Sequence, residues 1–155
     1  MKVEDFLEIV RFRVNDKLSV AYSDDELMQF LNDSIALLNT ELITLKDPVM
    51  LKEITISQSM AMPANFVKFA GKYPVYIADD TIKMLGTDSI PNVLYFANKS
   101  KVSSLNDEVP FSDTEESMLV QLTVIYALNK NEYSTDQDER LLDKLREIIR
   151  AVKGG

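Results

Sequence analysis

The sequence predicts an α+β fold, a bundle of about four helices with a small antiparallel β-sheet inserted over residues ~51–110. Three observations carry this. Four segments repeat apolar residues at helical spacing, the stretch between them alternates and is rich in β-branched residues, and capping-box patterns begin two of the helices. At 155 residues the chain is expected to form a single domain, with helical halves at 2–46 and 112–153 flanking the β-rich insertion.

Val3 to about Asp16 reads as the first helix, with Val3, Phe6, Leu7, Val10 and Val14 along one face. Phe12 falls nearly opposite that stripe, so it is either a lone exposed aromatic or a contact for a neighbouring subunit. Leu18, Val20 and Tyr22 suggest a short extended link. The second helix is the best signposted. Ser23 and Glu26 make a capping box, Asp24, Asp25 and Glu26 sit at the positive end of the helix dipole, and Leu27, Leu31, Ser34, Ile35, Leu38, Leu42 and Leu45 form one face. Asp47-Pro48 is expected to close it.

Residues Leu51–Ser57 alternate as a strand. Short extended pieces follow at 67–69, 75–77 and 81–85, with Asp79-Asp80 as a tight turn, and Val93–Ala97 is the strongest strand. Lys99–Asn106 is expected to be an exposed loop or hairpin tip. Ser112 with Glu115 reads as a second capping box. The segment Met118–Leu128 behind it is apolar nearly all round, as in a helix buried on most sides. The last helix is expected from near Ser134-Thr135, with Leu141, Leu142, Leu145, Ile148, Ile149 and Val152 as its stripe. Arg146, Arg150 and Lys153 complement its negative end, and Gly154-Gly155 stop it.

Composition excludes much chemistry. With no cysteine there is no disulfide framework, thiolate metal site or thiol nucleophile, and with no histidine the commonest general base and metal ligand are missing. A net charge of −8 opposes direct binding of nucleic-acid phosphates. No basic-then-apolar leader opens the chain and no apolar run approaches the ~18 residues of a membrane span, so a soluble protein made in the cytoplasm is expected.

Paired carboxylates are the remaining catalytic material. Asp24-Asp25 is accounted for as a helix start and Asp79-Asp80 as turn chemistry. A calcium loop begun at Asn129 would put Ser134 where the sharp-turn glycine belongs and Arg140 where the bidentate glutamate belongs, so its spacing fails. Four glycines, two of them terminal, cannot write a phosphate-binding loop. Tyr95-Phe96 beside Lys99 and Lys101 reads as a core strand rather than a base-stacking platform. No catalytic, cofactor or metal-binding residue is assigned.

The first 45 residues resemble the head–tail connector (adaptor, head-completion) proteins of tailed bacteriophages. Arg11, Arg13 and Asp16 end a short first helix. Tyr22 then precedes Ser23-Asp24-x-Glu26-Leu27, and Leu31-Asn32-x-Ser34 follows within the second helix. Pro63-Ala64-Asn65-Phe66 and a late helix with Tyr126-Ala127-Leu128 are similar in layout to larger members with a β insertion. The resemblance implies a non-enzymatic virion subunit that assembles into a ring, usually twelvefold, on the portal protein. That ring meets the next tail or stopper protein and extends the DNA channel, whose acidic walls let DNA pass without specific binding. The β-rich middle departs from compact all-helical members and leaves open which connector ring this is. Candidate protein-interface residues are Phe12, Lys99, Lys101, Leu105, Arg146 and Arg150. Two other classes stay open: a small cytoplasmic protein–protein interaction module, and a carboxylate-based metal hydrolase.

Overall fold

Among the described residues, four α-helices and six short strands form the α+β fold. The computed structural model describes residues 1–130 and 135–153, without the side chains of 135–138. The expected helix start at Ser134, the Gly154-Gly155 stop and residues 131–134 of the rejected calcium loop lie outside the described residues. The chain divides into two compact units, Met1–Glu41 with Lys99–Gly155, and Leu42–Asn98.

The first unit is helical. Helix α1 (Val3–Arg13) buries Val3, Phe6, Leu7 and Val10, the expected face. No side chain caps its start. Instead Val3 N donates to Asp107 O at 2.9 Å and Glu4 N to Leu105 O at 3.0 Å, so first-turn donors that a helix leaves unpaired are met by a later loop. The helix ends at Asn15, whose φ of 60° is left-handed, while Asp16 N reaches back to Arg11 O at 2.8 Å. That six-to-one closure is a Schellman turn, with asparagine where glycine is commonest.

Helix α2 (Asp24–Thr44) buries Leu27, Leu31, Ser34, Ile35 and Leu38 within this unit. Full burial of each leucine or isoleucine is worth roughly 1.5–3 kcal/mol, so this stripe dominates the unit's core. Helix α3 (Asp113–Leu128) adds Met118, Leu119, Leu122, Val124 and Ala127, and α4 (Thr135–Lys153) adds Leu145 and Ile149. Ser112 does not form the expected capping box. Its side chain makes no cap bond, Asp113 takes a φ of 52°, and Glu115 is buried in an ion pair with Lys153 of α4. A tertiary partner has taken the glutamate that the local pattern assigned to the helix start.

At the far end of α2, Lys46 occupies the left-handed position (φ 56°) and Asp47 N donates to Leu42 O at 2.9 Å. The helix therefore stops before Asp47-Pro48. Asp47 instead caps the following 3-10 turn (Pro48–Met50) by accepting from Val49 N at 3.0 Å.

The second unit holds two three-stranded antiparallel sheets where one was expected. Strands β1 (Leu51–Ile56), β6 (Ile90–Ala97) and β3 (Phe66–Phe69) pair in the order β1-β6-β3, and β2 (Met60–Ala61), β5 (Thr81–Met84) and β4 (Val75–Ala78) in the order β2-β5-β4. Ile56, Ile82 and Val93 share one core cluster, with Phe69, Tyr73 and Met84 packed on it. The β4–β5 hairpin pairs Ala78 with Thr81 across Asp79-Asp80, whose φ values of 52° and 56° are those of a two-residue type I′ turn. Aspartate tolerates that conformation less well than glycine. Asp80→Gly should therefore stabilise the protein by about 0.5 kcal/mol, read as a higher denaturant midpoint.

The strands end at Ala97, so Lys99–Asn106 is a mostly exposed loop rather than a hairpin tip of the sheet, and the expected insertion to ~110 stops short of residues 99–110. They belong to the helical unit, where Val102 and Val109 are buried.

Candidate functional site

Six of the residues that carry the connector resemblance, Arg11, Asp16, Tyr22, Ser23, Asp24 and Glu26, meet at the α1–α2 corner. Arg11 is buried on α1, and its guanidinium forks three ways. Nη1 donates to Asp16 Oδ2 at 3.0 Å and to Tyr22 O at 2.8 Å, and Nη2 donates to Asp24 Oδ1 at 2.8 Å. Asp16 in turn accepts three backbone N–H groups, from Val20 (2.9 Å), Ala21 (3.0 Å) and Tyr22 (3.0 Å). Residues 17–22 therefore wrap around one carboxylate and are not the extended link expected. A planar five-donor group suits this junction, because a charge-assisted fork fixes direction as well as distance.

The network continues along the chain. Ser23 N donates to Glu26 Oε1 (3.2 Å) and Glu26 N to Ser23 Oγ (3.1 Å), the reciprocal capping box predicted for α2. Tyr22 donates its hydroxyl to Ala127 O at 2.9 Å, tying the corner to α3. Lys130 donates to Ala21 O at 2.7 Å and pairs with Glu26 Oε2 at 3.2 Å, with its Nζ 4.6 Å from the Tyr22 ring centroid. Ser34 accepts from Thr123 Oγ1 at 3.2 Å, while Leu27 and Leu31 lie in the core. Arg13 takes no part.

Helix α2 also holds residues 99–102 by two asparagines. Asn39 Nδ2 donates to Lys99 O and its Oδ1 accepts from Lys99 N, each at 3.0 Å. Asn32 treats Val102 alike, at 2.9 and 2.8 Å. Seven helical residues rise ~10.5 Å, and three extended residues span about 10 Å. The two amides therefore match the ends of one extended segment running opposite to α2. Asn39 was missed in the sequence. Its signal was an amide on the Asn32 face two turns further on.

The predicted interface residues divide between free and engaged. Phe12 and Lys101 are exposed; Lys99 and Leu105 are half-buried, their backbones bonded to Asn39 and to Glu4. Arg146 and Arg150 face inward to Glu41 of α2, with Nε atoms 3.2 and 3.3 Å from its two carboxylate oxygens.

Several carboxylates are held below their ordinary range. For Asp16 the leading cause is the hydrogen bond from the Ala21 backbone, followed among the lowering effects by Val20, Tyr22 and the Arg11 charge. For Glu26 it is the Ser23 backbone and then Lys130, and for Asp107 the Ser103 backbone. A lowered native value means stability present above the ordinary values of 3.8 for Asp16 and 4.5 for Glu26, lost as pH falls through the native ones. Asp16→Asn should thus melt well below the parent at pH 7. The gap between the two melting temperatures should close below about pH 4, as the parent's Asp16 protonates.

No group of three or more Asp or Glu side chains is placed to hold a metal among the described residues. Burial pushes the Tyr126 phenol up to about 12, away from use as a base near neutral pH. An open depression of about 440 Å³ in the second unit is lined by Lys46, Leu51, Lys68, Phe69, Ala70, Gly71, Leu94 and Phe96, with no carboxylate among them. Among the described residues no helix is long and apolar enough to cross a membrane. Neither a protein-family model nor a curated protein matches this sequence.

Proposed function

We propose that this chain is a non-enzymatic structural subunit of a phage head–tail connector ring, made in the bacterial host and incorporated at the portal vertex of the virion. The observation that carries the reading is the unity of the motif. Arg11, Asp16, Tyr22, Ser23, Asp24 and Glu26, all residues of the connector-like motif, form one hydrogen-bonded corner that sets how α1 meets α2. Asn32 from the same motif holds the segment that leads to the α1 start. Such a corner supports a rigid building block better than a reactive centre. The absence of histidine and cysteine agrees, and a −8 chain suits the wall of a channel through which DNA slides.

In this reading the subunits close into a ring, in the connector family usually of twelve copies, between the portal protein and the next tail or stopper protein. The test is electron microscopy of the protein mixed with its portal. Added ring density beneath the portal is the expected result. A portal left bare at saturating protein would overturn the reading, and a one-to-one complex with a non-virion protein would replace it with a cytoplasmic interaction module.

A further inference from the structure

The α1–α2 corner presents apolar side chains outward as firmly as it holds Arg11 inward. Leu18 is 86% exposed, Val20 84% and Phe12 65%, with Ile9 at 38% on the same outer side of α1. Leu18 and Val20 line one shallow depression with Asn15, Asp16 and Lys17, and Lys17 Nζ lies 4.8 Å from the Phe12 ring centroid. These four side chains expose on the order of 500 Å² of apolar surface, a patch size typical of interaction sites. Three backbone hydrogen bonds to Asp16 already order the loop, so little conformational entropy remains to be lost on docking.

Charge along α1 says what covers the patch. Taking 100° per residue, Glu4, Glu8, Phe12, Asp5, Ile9 and Arg13 fall in that order within one half of its circumference. The acids occupy its first half, against a single Lys2. Arg13 and Lys17 occupy the far end. Asp16 cannot neutralise them, because both of its oxygens are taken by Arg11 and backbone N–H groups. Neither Arg13 nor Lys17 makes an ion pair among the described residues. The outer face thus carries Glu4 and Asp5 at one end, Arg13 and Lys17 at the other, and Phe12 and Ile9 with Glu8 between them.

We propose that this face binds a second copy of itself, α1 antiparallel on α1 about a twofold axis near Ile9. Antiparallel pairing about that axis sets Arg13 beside the second copy's Asp5, twice by symmetry, and opposes the two helix dipoles favourably. Phe12 and Ile9 pack at the centre, and the Leu18–Val20 loop reaches past the start of the other helix. Twice the patch approaches the ~1,200 Å² at which specific interfaces begin, so the dimer is reversible and salt-sensitive. An anionic membrane would also attract a basic, apolar loop, but Glu4, Asp5 and Glu8 on the same face oppose it. The pairing stands independently of the connector reading and needs no portal.

Sedimentation of the full chain, from micromolar to several hundred micromolar, tests it. A monomer–dimer equilibrium is expected, weakening at least about tenfold between about 0.05 and 0.5 M salt. An acidic variant (Arg13→Glu with Lys17→Glu) and a basic variant (Glu4→Lys with Asp5→Lys) should each be monomeric alone, and should dimerise when mixed. Leu18→Asp with Val20→Asp, outside every helix, should be monomeric too and carries the test if a charge variant fails to fold. A parent chain that stays monomeric, variants that dimerise like the parent, or a folded mixture that does not associate would each overturn the proposal. So would binding to anionic vesicles without self-association.

Discussion

Arg11→Ala should destabilise the helical unit by about 3 kcal/mol, because truncation leaves buried partners behind. Three hydrogen bonds from the guanidinium disappear at once, and the Tyr22 carbonyl loses its side-chain donor. Asp16 keeps its three backbone N–H groups, which holds the loss below that of a wholly stranded charge. Arg11→Lys should recover little. A single ammonium cannot reach Asp16, Tyr22 O and Asp24 together in the directions the fork does. Arg13→Ala, on the same helix but outside the network, should lie within ~0.5 kcal/mol of the parent. Denaturant unfolding of the three variants measures the ordering. Equal losses at Arg11 and Arg13 would mean that the corner contributes nothing beyond generic surface charge.

This corner was half legible in the sequence. Patterns confined to a few residues held: Ser23 with Glu26 formed its box, Leu27, Leu31, Ile35 and Leu38 are buried, and Asp79-Asp80 makes the turn between β4 and β5. Readings failed where a distant partner outcompeted the local one. Glu115 has the box position but pairs with Lys153, and Lys99–Asn106 is the mostly exposed loop expected but no sheet tip, being held by asparagines 60 and 70 residues earlier. The split into two sheets was hidden for the same reason, since β6 pairs with β1 and β3 rather than with its sequence neighbour. Nor does periodicity reveal that Asp16 gathers the backbone of residues 20–22. Only the motif suggested that Arg11 and Asp16 belong together.

The ion pairs that hold α4 should respond asymmetrically to mutation. Glu41 is nearly fully buried on α2, while Arg146 and Arg150 are 38% and 56% exposed at their side chains. Glu41 Oε2 has no hydrogen bond and faces Arg150 Nε only as an ionic contact at 3.3 Å. Removing the carboxylate in Glu41→Leu frees two arginines that water can solvate, so the change should lie within about 1 kcal/mol of neutral. Removing both cations in Arg146→Met with Arg150→Met strands a buried acid, and should cost about 3–5 kcal/mol. The triple variant, which adds Glu41→Leu to the two methionines, should regain most of that loss, since no charge is left to bury. Equilibrium unfolding across this cycle separates the cost of burying Glu41 from the worth of its partners. If the triple variant is no more stable than the double, the arginines act through packing of their aliphatic stems, and charge at Glu41 does not govern how α4 docks.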